Sequence, residues 1–133
     1  MEGRDGIIRV NIGTVSRALL QTKIQLLTLR PDERYTADSA IVAITSTKEV
    51  EAAERRLGLE GPPTVYSISV QRPVKGLPHL PAFMRDVTLE QALDAVASTF
   101  GGLVLYGECA SRSGRHFFRV DWVELRGTEN RSD

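Results

Sequence analysis

Between Asp86 and Cys109 the chain reads DVTLEQALDAVASTFGGLVLYGEC, and here the signals for where a helix starts, which side it buries and where it stops coincide. Thr88, with Gln91 three residues on, makes an S/T-x-x-E/Q capping box, in which each side chain satisfies a backbone N–H at the helix start. Glu90 adds negative charge in the first turn, where the helix dipole favours it. Leu89, Ala92, Leu93, Val96, Ala97 and Phe100 recur at i, i+3, i+4, i+7, i+8 and i+11 and therefore line one side, with Glu90, Asp94 and Ser98 elsewhere. Gly101 and Gly102 supply the left-handed backbone that closes a helix, and Leu103 to Tyr106 is a short β-favouring run directly afterwards. The stretch predicts a helix packed on a sheet. It is a scaffold with no evident chemistry of its own.

With 133 residues, the chain can bury most of its apolar surface without cross-links. The expectation is one α+β domain over 1–133, or two half-modules at 1–60 and 64–126 divided at Glu60-Gly61-Pro62-Pro63, with a frayed tail over 127–133. Lys plus Arg equals Asp plus Glu at 17 each, which removes a general electrostatic drive toward nucleic acid or anionic membrane. The single Cys109 excludes an intramolecular disulfide. No run of 18 apolar residues occurs, so no membrane-spanning segment is expected. The opening MEGRDGIIRV has neither a basic n-region nor an apolar h-region, so the compartment is open between the cytoplasm and, for a segment whose leader was removed, the periplasm.

Read in order, Ile7 to Ile12 alternates as a half-buried strand. Val15 to Leu29 is broadly apolar and predicts a helix, either to its end or passing into strand near Gln25; Arg30-Pro31 stops it. Ala40 to Thr45 is a β-branched run expected as an inner strand. Ser46 with Glu49 offers a second capping box for a helix that buries Val50, Ala53 and Leu57 and turns Lys48, Glu51, Glu54 and Arg55 to water, closing at Gly58. Thr64 to Gln71 alternates as a strand, Arg72 to Pro81 is a proline-rich loop, and Ala82 to Arg85 resumes a strand. Ala110 to Arg115 turns a hairpin into His116 to Leu125, where Phe118, Val120 and Trp122 share a face. The fold class is α+β, a small mixed β-sheet with two or three amphipathic helices packed on it in the order β-α-β-α-β-loop-α-β-β.

Three runs, PVKG (Pro73 to Gly76), AFMRDVTLEQALDAV (Ala82 to Val96) and LVLYGE (Leu103 to Glu108), together resemble the short N-terminal (STN-like) domain of secretins and TonB-dependent receptors. In that family a V-x-G, a strand, a helix of the type N/D-V-x-L-x-x-A-L-D and a hairpin follow one another. YTADSAIVAITSTKEVEAA (Tyr35 to Ala53) is also similar to the closing hairpin strand of such modules, which runs into acidic helical sequence. The resemblance implies a small β-α-β interaction module, usually associated with the cell envelope, that signals or assembles by protein contact and performs no catalysis.

Two sets of residues invite a chemical reading. A hairpin turned at Ala110 to Arg115 could set Cys109 nearly opposite His116, the thiolate–imidazole pair that a cysteine nucleophile needs, but no oxyanion-hole motif accompanies it. His79, His116, Cys109 and Asp121 match no zinc-ligand spacing, and the glycine pairs follow helices where a phosphate cradle must precede one. No catalytic residue, metal, cofactor or small-molecule ligand is therefore expected. The strongest alternative is nucleic-acid binding by the segment Arg112 to Trp122, where Arg112, Arg115 and Arg119 interleave with Phe117, Phe118 and Trp122. The first reading is a non-catalytic protein-interaction or assembly module, with a protein partner or a second copy held by open strand edges, by Arg72, Val74, Lys75 and His79 in the proline-rich loop, and by Arg112, Arg115, Phe117 and Arg119 on the last hairpin.

Overall fold

A computed structural model describes residues 2–4, 7–11, 17–60 and 74–125. Strands β1 (Glu2–Arg4) and β2 (Ile7–Asn11) lead to a single helical turn α1 (Arg17–Leu20), strand β3 (Lys23–Thr28), helices α2 (Ala37–Thr45) and α3 (Lys48–Arg56), strand β4 (Phe83–Thr88), helix α4 (Leu89–Phe100) and strands β5 (Gly102–Ala110) and β6 (His116–Glu124). Four strands form a mixed sheet in the order β1-β2-β5-β6, with β2 parallel to β5 and the other pairs antiparallel. Strands β3 and β4 make a separate antiparallel ribbon. The molecule is α+β, with its helices packed on a small mixed sheet.

Helix α4 begins and ends where its residues direct. The Thr88 hydroxyl accepts the Gln91 N–H at 3.1 Å, the Gln91 side chain accepts the Thr88 N–H at 2.9 Å, and Gly101 closes the helix at φ 68, ψ 50. Leu89, Ala92, Leu93, Val96 and Ala97 are buried, and α4 lies against α2, β5 and β2. Along β5 and β6 the pairs Val104↔Trp122, Tyr106↔Val120 and Glu108↔Phe118 turn one face of the hairpin to that core, where Phe118 is fully enclosed. Each large apolar side chain so enclosed contributes about 1.5–3 kcal/mol. Buried residues from Leu19 to Leu59 and from Leu80 to Phe118 belong to one cluster.

Three sequence expectations are corrected. The segment Ala40 to Thr45 is helix, the second half of α2, and not an inner strand. Ala37, Ala40, Ile41 and Ile44 are buried at helical spacing, and the Thr45 hydroxyl, which would otherwise be a buried orphan, donates to Ile41 O at 2.8 Å. Of the two readings of Val15 to Leu29, a helix running to Leu29 does not form: within the described residues the helix is over at Leu20 and the chain passes into strand at Lys23, close to the change expected near Gln25, because β4 offers Lys23 to Thr28 a partner edge that outweighs local leucine preference. Ser46 caps no helix: it terminates α2, and Thr47 is the first residue of α3's cap, its hydroxyl turned back to Ile44 O at 3.0 Å. Two helices thus stand where the order predicted a strand and a helix, and the succession among the described residues is β-β-α-β-α-α-β-α-β-β. The strand expected at Thr64 to Gln71, the frayed tail and Arg72 lie outside the described residues.

Candidate interaction surface

The ribbon is built around an irregularity. Its ladder pairs Lys23 with Thr88, Ile24 with Val87, Leu26 with Arg85, Leu27 with Met84 and Thr28 with Phe83, and skips Gln25 and Asp86. Asp86 has φ 52, a left-handed conformation that side-chain-bearing residues rarely adopt within a strand. The break changes what faces out. A regular strand alternates every second residue, yet in β3 the buried side chains are Ile24 and Leu27, with Gln25 and Leu26 both exposed between them. Cross-strand partners share a face, so Leu26, Thr28, Phe83 and Arg85 stand together on the outside of the ribbon. Leu26 is 48% exposed and Phe83 52% exposed, and the Arg85 guanidinium lies 5.4 Å from the centre of the Phe83 ring, a cation–π distance.

Strand β3 also borders an open groove of about 510 Å³, with Gln25 to Thr28 on one side and Ala43, Thr47, Lys48 and Glu49 from the corner between α2 and α3 on the other. Glu49, expected to cap its own helix, instead reaches across this groove. Its Oε2 accepts the Gln25 N–H at 3.2 Å. One backbone donor on the strand edge is thereby satisfied by a side chain, while the apolar Leu26 beside it is left in water.

The residues singled out in the sequence fall in other places. In the loop, Val74 and Lys75 are exposed, whereas the end of the loop is pinned: Leu80 is buried, its N–H donates to Arg34 O at 2.9 Å, and the Arg34 Nε donates to Leu80 O at 2.7 Å. His79 stacks on Tyr35 with ring centres 5.0 Å apart. On the last hairpin, Arg112 is exposed in the turn and Phe117 is half-buried. Arg115 makes two hydrogen bonds to Glu60, at 2.9 and 2.8 Å, and this pairing pushes its guanidinium further above its ordinary range. Arg119 pairs with Asp121 at 2.8 Å, Phe118 is in the core, and Trp122 packs edge-on against Phe100 with ring centres 6.5 Å apart. The arginines and aromatics read as a stacking platform are therefore largely committed within the chain. Residue Glu60 is held on both sides, its N–H donating to His116 O at 2.8 Å and its carbonyl accepting the Phe118 N–H at 3.2 Å, a parallel bridge onto β6.

Cys109 pairs across the hairpin with Phe117, and His116 pairs with Ala110. Neighbouring residues of a strand point to opposite faces, so the thiol and the imidazole stand on opposite sides of the sheet and do not form the pair that the turn suggested. Among the described residues no group of three or more His, Cys, Asp or Glu side chains is placed to hold a metal ion, and no helix is long and apolar enough to cross a membrane.

Sequence reasoning missed Glu54. Assigned to the solvated side of α3, it is 3% exposed, while Leu57, assigned to the core, is 39% exposed. The signal was present in the spacing: Val50, Ala53 and Glu54 are i, i+3 and i+4, one side of a helix, and the charge of Glu54 argued against its own position. Burial first, and the like charge of Glu51 second, raise the Glu54 carboxyl from 4.5 to about 7.

Compared with protein-family models, curated proteins and solved structures, the chain matches none. The segment likened to a closing hairpin strand of secretin-type modules, Tyr35 to Ala53, holds α2 and the first part of α3.

Proposed function

We propose that the chain is a non-catalytic protein-interaction or assembly module that makes contact through the outer face of the β3–β4 ribbon and the groove beside it. One observation carries this reading: Leu26 and Phe83, two large apolar side chains about half exposed, stand diagonally across the outer face of the ribbon, with Leu26 also lining the groove along β3. Exposed apolar side chains scattered singly need no explanation, whereas two on one face of a two-stranded ribbon, beside a groove along one of its strands, offer apolar burial to an incoming segment. The resemblance of Pro73 to Glu108 to STN-like domains supports the same kind of role and suggests an envelope setting.

The test is site-specific photo-crosslinking in the native host. A photo-reactive residue at Phe83 or Leu26 should give a discrete protein adduct, whose mass separates a second copy of this 14.7 kDa chain from a different protein. The same probe at Leu57, exposed at the far end of α3, should give none. Adducts to nucleic acid in place of protein, or equal labelling from all three positions, would reject the reading.

A further inference from the structure

Among the described residues, Glu54 is where a buried side-chain oxygen has no hydrogen-bond partner: the residue is 3% exposed and its Oε2 meets none. It stands in the last turn of α3, and its own carbonyl is part of the structure that ends the helix. Leu59 N–H donates to Glu54 O at 2.8 Å and Gly58 N–H donates to Arg55 O at 3.2 Å, with Gly58 at φ 73, the paired bonds of a Schellman turn. Leu59 is buried directly after it, and Glu60 then bonds to β6 through both its N–H and its carbonyl. Glu54 to Glu60 is therefore the joint that ties α3 to the edge of the four-stranded sheet.

Three things oppose a charge at this place. Water is excluded, the C-terminal end of a helix carries the negative pole of its dipole, and Glu51 lies one turn earlier. Helix α3 packs on α1, α2 and β3, whose ionisable side chains are Arg17, Asp38 and Lys23. Arg17 and Lys23 are exposed, and the Glu54 Oε2 has no hydrogen-bond partner. The two charged groups at the far side of the joint, Glu60 and Arg115, are spent on each other.

We propose that a proton on Glu54 latches this joint. With the carboxyl neutral, the last turn of α3 stays docked; once ionised, the side chain moves out to water and the bonds of Gly58 and Leu59 open with it. The carboxyl is raised to about 7, so the change falls in the neutral range. This inference concerns regulation of the fold and is independent of whether the ribbon binds a partner.

Amide exchange followed by NMR on the full chain tests it, at about pH 6 and about pH 8.5 after correction for intrinsic rates. Between pH 4.5 and about 7 each pH unit disfavours the docked form about tenfold, and above about 7 no further, so from about pH 6 to about pH 8.5 protection of Gly58, Leu59 and Glu60 should fall by roughly tenfold, with α4 unchanged. In Glu54→Gln, which carries no charge at either pH, protection should be constant. A second reading needs no substitution: the Glu54 carboxyl carbon should titrate with a midpoint near 7. A midpoint in the ordinary range near 4.5, unchanged protection, equal loss in Glu54→Gln, or loss spread over α4 as well would each overturn the proposal.

Discussion

When folded, Glu54 keeps its proton up to about pH 7, whereas its ordinary value is 4.5, so between these limits the folded chain binds more protons than the unfolded one. Stability must then fall as pH rises: the contribution of the proton is fully present below 4.5 and is lost as pH passes about 7. Its size is on the order of 3 kcal/mol. Glu54→Gln removes the titration, so its stability relative to the native chain should rise by that order between about pH 4.5 and about pH 8, measured by urea denaturation at each pH. A gap that does not change with pH would mean that the carboxyl is solvated. Asp86 presents a different cost, in its backbone. At φ 52 a β-branched side chain is strained, so Asp86→Val should lose about 1–2 kcal/mol, while Asp86→Gly should be nearly neutral, relief of strain being offset by the freer unfolded chain. Equal losses in both variants would assign the role of Asp86 to its carboxylate.

Helix α4 and the hairpin after it were legible because each local preference agrees with the tertiary outcome, from the Thr88–Gln91 cap to the apolar stripe. Where preference and packing disagree, the pattern misleads. Ile41, Val42 and Ile44 favour a strand by their branching, yet the spacing of Ala37, Ala40, Ile41 and Ile44 buries one side of a helix, and packing decided. The outward Leu26 could not be foreseen either, because it depends on a ladder break caused by a residue some sixty positions away. Of the two glycines after α4, only Gly101 is left-handed; Gly102 is there for space. A Cβ on Gly102 would lie 2.5 Å from the Trp122 ring and 2.5 Å from the Val123 carbonyl oxygen. Gly102→Ala must therefore shift both the indole packed against Phe100 and the β6 backbone at Val123, at a cost of about 1–3 kcal/mol. The change should be visible directly in emission from the single tryptophan; unaltered emission and melting temperature would show that the sheet yields instead.

At the scale of the molecule, the outer face of the ribbon can be altered without touching what holds the fold. Leu26 and Phe83 both point away from the core cluster, so replacing both with Lys should leave urea stability within about 0.5 kcal/mol and abolish crosslinking or co-purification of the partner. Loss of stability along with loss of contact would mean that the ribbon is structural. The core itself makes a sharper demand. Its members come from α1, β3, α2 and α3 on one side of residues 61–73 and from β4's neighbours, α4, β5 and β6 on the other, and they enclose each other in one cluster. If neither half has an apolar core of its own, neither can remain folded when the other opens, and unfolding is all-or-none. Two probes divide the chain conveniently: Trp122 emission reports β6, and far-UV circular dichroism reports all the helices, α2 and α3 included. At about pH 6, where the Glu54 joint is closed, both signals should follow a single urea transition with one midpoint. If the tryptophan transition came at a different urea concentration from the helical one, the chain would consist of two independent modules divided near Glu60, and the shared cluster would be a contact between them.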